Sequence, residues 1–181
     1  MLHLKNITAG NPKTAEQYQM TKRHSIVWLF SEDGKNWYEE QKNFASDTIK
    51  VAYNERGRVV WVGKDVTGIE PTNVSIIELP DITTNRRITA PGYWFYRNDE
   101  FVFDYKLKAE DERDALLKQV SIMTSDWEKD LLLGLISDED REKLKAYRIY
   151  AKSLQAMDFS TITDKTSYNA INWPERPDAA A

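Results

Sequence analysis

The strongest structural signal in the sequence is the stretch TIKVAYNERGRVVWV, residues 48–62. Residues 48–53 alternate with a period of two, which is typical of a β-strand. Asn54 and Gly57 bound a turn, and residues 58–62 return with the β-branched and aromatic side chains that strands favour. The stretch therefore predicts an antiparallel β-hairpin.

The sequence on both sides of this hairpin also predicts short strands. Residues 25–30 (SIVWLF) end at a turn containing Asp33-Gly34, after which Trp37-Tyr38 is expected to begin a return strand. Residues 74–79 form another strand that stops at Pro80, and residues 93–103 form a third hairpin. We therefore expect a small antiparallel β assembly in the first hundred residues.

One segment of this region departs from the strand pattern. Residues 14–21 follow Pro12 and show no alternation, so they predict a short helix or turn.

From about Ala109 the period changes to that of a helix. Six apolar residues recur every three or four positions and form a first apolar stripe along one helix face: Leu116, Val120, Met123, Trp127, Leu131 and Leu135. Gly134 marks a stop, Ser137 is expected to cap a second helix with Asp140 as its partner, and a second stripe follows: Leu144, Tyr147, Ala151 and Leu154. The pattern predicts a helical hairpin whose stripes pack against each other, the β region or another chain. Leu144, Tyr147 and Leu154 are thus predicted to serve in helix packing or in a dimer seam.

The two regions define the predicted fold class, which is α+β. Residues 1–104 form a β-rich N-terminal domain and residues 105–181 form a helical C-terminal domain. Residues 161–181 are expected to lack regular structure beyond an extended or polyproline stretch around Trp173 and Pro174.

Composition excludes several chemistries. The 181 residues include no Cys and only two His, so a Cys nucleophile, a disulfide, a Cys-ligated metal and a three-His zinc site are all excluded. There is no phosphate-binding glycine loop and no exposed-serine elbow, and a net charge of −4 gives no general attraction to nucleic acid. We expect a protein that is not an enzyme and has no cofactor or metal.

The sequence also gives no sign of a membrane segment. The apolar run at residues 131–136 is far shorter than the ~20 residues that span a bilayer, and the N-terminus lacks the features of a secretory signal. We therefore expect no membrane insertion and a protein that stays where it is made. The carboxylates of Glu39 and Glu40 and those at residues 138–140 lie in charge-rich surroundings, so a hydrolase that uses them is the least favoured alternative.

The aromatic side chains point to binding. Residues 1–105 hold 15 of the 21 Trp, Tyr and Phe side chains. Because neighbours on a strand face opposite sides, adjacent aromatics cannot all enter one core, and exposed Trp and Tyr dominate protein interfaces and stack on sugars. The proposed partner-binding residues, from which exposed members are expected, are Trp28, Trp37, Tyr38, Trp61 and Trp94.

Several motifs in this order resemble one known family. They are residues 4–8 with Asn11-Pro12, residues 26–38, residues 49–53, the Pro80-Asp81-Ile82 step, Gly92-Tyr93-Trp94 and the closing Trp173-Pro174-Glu175-Arg176-Pro177. The match covers most of the chain and closely resembles the tail fibre assembly proteins of tailed bacteriophages and prophages.

The resemblance implies an ATP-independent chaperone. Such a protein binds the C-terminal receptor-binding end of a phage tail fibre in the host cytoplasm and helps the fibre reach its trimeric state, in some members remaining at the fibre tip. The aromatic β region is expected to contact the fibre while the helices support it or form a homodimer. The alternative is a carbohydrate-binding module whose aromatics stack on host lipopolysaccharide.

Overall fold

The computed structural model describes residues 1–177, so the Ala run that ends the predicted extended tail lies outside the described residues. The chain divides into two compact units, Met1–Phe103 and a second that begins at Asp104, one residue before the predicted boundary. The first is β-rich and the second is helical, which confirms the predicted α+β fold class.

The strands of the N-terminal unit, within the described residues, are β1 (His3–Gly10), β2 (Trp28–Phe30), β3 (Thr48–Asn54), β4 (Val59–Gly63), β5 (Val74–Pro80), β6 (Trp94–Arg97) and β7 (Glu100–Phe103). The first five form an antiparallel sheet in the order β2-β1-β5-β3-β4, and β6 pairs with β7 as a separate hairpin. The β3–β4 and β6–β7 hairpins predicted from the sequence are confirmed. Strand β1 was not anticipated, because its alternation is broken where Asn6 has a positive φ of 47° and the register shifts.

The five-stranded sheet carries an apolar core on each face. Ala52 and Val51 are neighbours on the central strand β3 and therefore point to opposite sides. Ala52 packs in a cluster with Leu4, Ile76 and Trp37, whereas Val51 packs in a second cluster that includes Ile88. Both faces of the sheet are therefore covered.

Two short helices of the N-terminal unit lie beside the strands. Helix α1 (Ala15–His24) begins where the Thr14 hydroxyl accepts the Gln17 N–H at 3.1 Å. The sequence predicted a short helix or a turn at residues 14–21. The prediction of a return strand at Trp37-Tyr38 is wrong. The Asn36 side chain accepts the Tyr38 N–H at 2.9 Å and thereby starts helix α2 (Trp37–Glu40). The strand predicted at residues 25–30 is reduced to three residues, since Ser25 ends α1 in a left-handed conformation.

The second unit contains helices α3 (Tyr105–Leu133), α4 (Asp138–Gln155) and α5 (Lys165–Asn169). Helices α3 and α4 form the predicted helical hairpin, and Ser137 caps α4 by accepting the Asp140 N–H at 3.1 Å. Helix α5 corrects the expectation of a tail without regular structure, because Asp164 and Ser167 form a capping box that starts it. Among the described residues, no helix is long and apolar enough to cross a membrane.

Candidate partner-binding surface

Trp28 lies on β2 and is 7% exposed. Its indole N–H donates to the Thr21 hydroxyl at 2.8 Å and to the Gln17 carbonyl at 3.2 Å, so its ring holds α1 against the sheet. A buried Trp whose polar atom is satisfied internally is a packing residue rather than a contact surface.

Trp37, the first residue of α2, is also buried, with 1% of its surface exposed. Its ring meets that of Phe44 edge to face at 6.1 Å, inside the core cluster formed with Leu4 and Ile76. The structure therefore places Trp28 and Trp37 inside the N-terminal unit, where they shape the surface without forming it.

Tyr38 is different, because 45% of its surface is exposed although its position is fixed. Its hydroxyl donates to the Val27 carbonyl at 2.9 Å, and its ring stands edge-on to Trp28 at 5.8 Å. Val27 beside it is 61% exposed. A rigid, half-exposed Tyr loses little conformational entropy when it binds, so Tyr38 is well suited to an interface.

Trp61 and Trp94 are both partly exposed, but on different sides of the sheet. Trp61 lies opposite Ala52 and packs on that residue's core, with its ring crossing Gly63. Trp94 packs on the core that contains Val51 and meets Phe103 edge to face at 5.4 Å. The five predicted residues therefore do not form one continuous surface.

A group of aromatic residues that sequence reasoning missed lies around the β6–β7 hairpin. The rings of Tyr53 and Tyr96 stack at 4.6 Å, Phe101 lies 5.0 Å from Tyr96, and His3 lies edge-on to both tyrosines. The His3 Nε2 atom and the Tyr53 hydroxyl are 2.7 Å apart. The signal that could have found this group is the strand alternation, which places Tyr53 with Val51 on the face that receives β6 and β7.

The titratable members of this group are held in their neutral forms. Burial, reinforced by the nearby charge of Lys5, lowers the pKa of His3, and burial raises the pKa of Tyr53. Burial also raises the pKa of Tyr96 to about 12, assisted by the hydrogen bond that its hydroxyl donates to Asp99 at 3.0 Å. The group is therefore an uncharged structural contact at neutral pH.

We expect the raised pKa of Tyr96 to be measurable in an alkaline titration. Because the pKa of Tyr96 is raised in the fold, its contribution to stability is complete below the unfolded value of about 10 and is lost as pH rises through about 12. Tyrosinate absorbance of the native protein minus that of Tyr96→Phe should isolate one group titrating near the upper value. A difference curve centred at or below the unfolded value, with the fold intact by circular dichroism, would contradict the assignment.

The carboxylates considered as a hydrolytic pair lie in the helix α2 turn. Glu39 accepts from the Asn36 amide at 3.3 Å, and Glu40 accepts from the Asn43 amide at 2.9 Å. These contacts are local side-chain hydrogen bonds of a helix start. Among residues 1–177, no three His, Asp or Glu side chains come together as metal ligands.

The predicted helix residues lie in the second unit. Leu144, Tyr147 and Leu154 are 6%, 4% and 0% exposed, and the last two pack in the α3–α4 core with Val120. Their side chains are therefore covered within a single chain. The α3 stripe divides, because Val120 is buried whereas Leu131 and Leu135 are exposed.

Comparison with known proteins gives a consistent result. A family model described as "Caudovirales tail fibre assembly protein, lambda gpK" matches residues 39–178. The match includes the last strands of the N-terminal unit and all the helices of the second unit.

Curated relatives match over nearly the whole chain. Tail fiber assembly protein U' of Escherichia phage Mu is 43% identical and that of Escherichia phage P1 is 44% identical, in both cases over 98% of this chain and 100% of the relative. A probable tail fiber assembly protein of Escherichia phage P2 is 38% identical over 98% of this chain and 99% of its own length. Both units of the chain therefore have counterparts in these proteins.

Proposed function

This chain belongs to the Caudovirales tail fibre assembly protein family, and we propose that it is an ATP-independent chaperone. In this proposal it binds the C-terminal, receptor-binding end of a phage tail fibre and promotes the trimeric assembly of the fibre. Its role lies in tail fibre assembly. The observation that carries the proposal is the match over 98% of the chain and the full length of two relatives, because it includes both units.

The physical basis of the proposal is that a fibre end that has not yet trimerised needs protection from aggregation. A fibre end that has not yet trimerised exposes unpaired strand edges and apolar surface, which aggregate readily. A protein that binds the assembled form more tightly than the unfolded chain shifts the equilibrium towards assembly without consuming nucleotide. In this proposal the protein acts in the host cytoplasm while fibres are being made.

We assign the fibre contact to the exposed aromatics of the N-terminal unit. Tyr38 is the central residue, because it is both half exposed and held in place, and Trp61 and Trp94 are accessory contacts on either side of the sheet. Trp28 and Trp37 position the surface from within. Leu144, Tyr147 and Leu154 act as packing residues of the helical unit rather than as a dimer seam, because their side chains are buried.

Co-expression with the cognate fibre tests the proposed function. The yield of soluble trimeric fibre, measured by sedimentation of the purified product, is expected to fall several-fold when this chain is omitted. Equal trimer yields with and without the chain would rule the chaperone role out. Saturable binding of purified lipopolysaccharide by the chain alone would favour the carbohydrate-binding alternative instead.

The role of Tyr38 is tested in the same complex. Tyr38→Ser is expected to weaken binding to the fibre end about tenfold in a calorimetric titration, because a buried interface aromatic contributes roughly 1–2 kcal/mol or more. Tyr18→Ser is the matched control, since Tyr18 is 49% exposed and lies on α1, outside the proposed contact. Equal losses for the two variants would show that Tyr38 is not a specific contact.

A further inference from the structure

The end of the helical hairpin exposes a run of leucines. Leu132, Leu133 and Leu135 are 87%, 70% and 72% exposed, where α3 ends at the left-handed Gly134. Single exposed side chains of this size are common on protein surfaces, whereas three within four consecutive residues make this helix end a candidate binding site.

An apolar groove lies between α3 and α4, the two helices that meet at this leucine run. It has a volume of about 840 Å³, and its walls include Met123 and Trp127 of α3, Ala146 and Tyr147 of α4 and Pro177 of the C-terminal tail. Leu131 follows Trp127 by four residues and lies on the same helix face, so it extends the apolar face of α3 from the groove towards the end of the helix. We call the exposed leucines and the accessible walls of this groove the tip surface, which consists of Met123, Trp127, residues 131–133, Leu135 and Ala146, with the buried Tyr147 packed beneath them.

The segment that carries most of the tip surface, residues 126–145, is acidic. Residues 126–145 carry seven Asp and Glu side chains against four Lys and Arg, whereas residues 1–103 carry 13 of each sign. The basic side chains here are already engaged, since Lys129 pairs with Asp126 at 2.8 Å and Lys143 with Glu139 at 2.6 Å. Residues 126–145 therefore carry three of the four net negative charges of the chain, and the Arg176 guanidinium, 3.1 Å from the Met123 sulfur, is a basic group at the groove.

We propose that the tip surface docks an apolar segment of another protein that is flanked by Lys or Arg. The groove and leucines provide apolar burial, and the carboxylates select a basic flank. The same charge opposes two other occupants. A second copy that bound tip to tip would bring like charges together, and an anionic membrane would be repelled. The surface lies in the helical unit, so the proposal goes beyond the aromatic fibre contact and stands independently of it.

The test uses the full chain and two labelled peptides of about 15 residues with the same Leu-rich centre. One peptide has lysines at both ends and the other has glutamates. By fluorescence anisotropy, the Lys-flanked peptide is expected to bind saturably and at least about tenfold more tightly than the Glu-flanked peptide. The difference should shrink at about 0.5 M salt, because screening weakens the charge contribution.

Variants locate the binding site without changing charge. The double substitution Leu132→Gln and Leu135→Gln is expected to weaken Lys-flanked peptide binding at least about tenfold. Ile149→Gln is the matched control, because Ile149 is 67% exposed on α4 outside the tip surface, and it should leave binding unchanged. Absence of saturable binding, equal affinity for the two peptides, or an equal loss in the control would overturn the proposal. Self-association in sedimentation velocity that the double variant abolishes would assign the surface to a second copy and would also overturn it.

Discussion

Replacing Glu78 with alanine is expected to lower the free energy of unfolding of the N-terminal unit by about 3–5 kcal/mol, because three hydrogen-bond donors lose their acceptor. Glu78 is 5% exposed on β5 and accepts the Ala45 N–H at 2.7 Å, the Thr48 hydroxyl at 2.7 Å and the Leu2 N–H at 3.1 Å. Lys50 lies directly opposite on β3, is 1% exposed and donates its ammonium to the Ala45 carbonyl. The substitution therefore leaves three donors without their acceptor and removes a negative charge from the surroundings of the buried Lys50 ammonium.

Hydrogen exchange can measure this effect in the N-terminal unit alone. Amides of β3 and β5 should exchange on the order of a hundred to several thousand times faster in Glu78→Ala, whereas amides of α3 in the other unit serve as the internal reference. Glu55→Ala, a change of the same type at an exposed turn, is expected to shift stability by less than about 0.5 kcal/mol. Similar exchange rates in the two variants would show that the buried network contributes little.

The stability that the Glu78 carboxylate contributes also depends on pH, and the direction of its pKa shift gives the sign of that dependence. Burial by itself would raise the pKa of Glu78, but the hydrogen bonds from Thr48, Leu2 and Ala45 and the charge of Lys50 hold it below the ordinary value. Its stabilising contribution is therefore present above the unfolded pKa of about 4.3 and is lost as pH falls through the lower folded pKa. Glu78→Gln should flatten this acid-side loss of stability.

The network also shows which features of the fold could not be predicted from the sequence. The β3–β4 hairpin was predictable because its alternation and its turn are local. The alternation did not reveal that Lys50 is buried, because its acceptor is the carbonyl of Ala45 in a preceding loop and its charge partner, Glu78, lies on a strand about thirty residues away. A polar residue in a strand favours the solvent face unless distant residues satisfy it.

The aromatic residues follow the same rule. Their excess in the first 105 residues correctly indicated that not all of them fill one core, but it could not identify the exposed members. Trp28 is covered because α1 packs over its indole, whereas Tyr38, on the short helix that replaces the expected strand, is half exposed. Such exposure depends on contacts between elements that are separate in sequence.

The turn that made the β3–β4 hairpin predictable also holds the most restrictive glycine of the unit. Gly57 has a positive φ of 79°, and a Cβ atom there would lie 2.3 Å from the carbonyl oxygen of Tyr96. The backbone of β6 approaches so closely because the Tyr96 N–H donates to the Gly57 carbonyl at 2.7 Å. Gly57→Ala is therefore expected to destabilise the N-terminal unit by about 3 kcal/mol, from the left-handed backbone and from displacement of β6 with loss of that hydrogen bond.

Gly34→Ala separates these two causes. Gly34 has a similar φ of 84°, but the nearest atom to an added Cβ is the flexible ammonium end of Lys13, 3.1 Å away. This variant should lose only the backbone contribution of about 1 kcal/mol, so urea titration should show Gly57→Ala to be less stable than Gly34→Ala by about 2 kcal/mol. Equal losses of stability in the two variants would mean that β6 can move away from an added Cβ atom without a loss of stability. The expected difference would instead show that the β6–β7 hairpin, with its stacked Tyr96, is fixed to the sheet through a turn where only glycine fits.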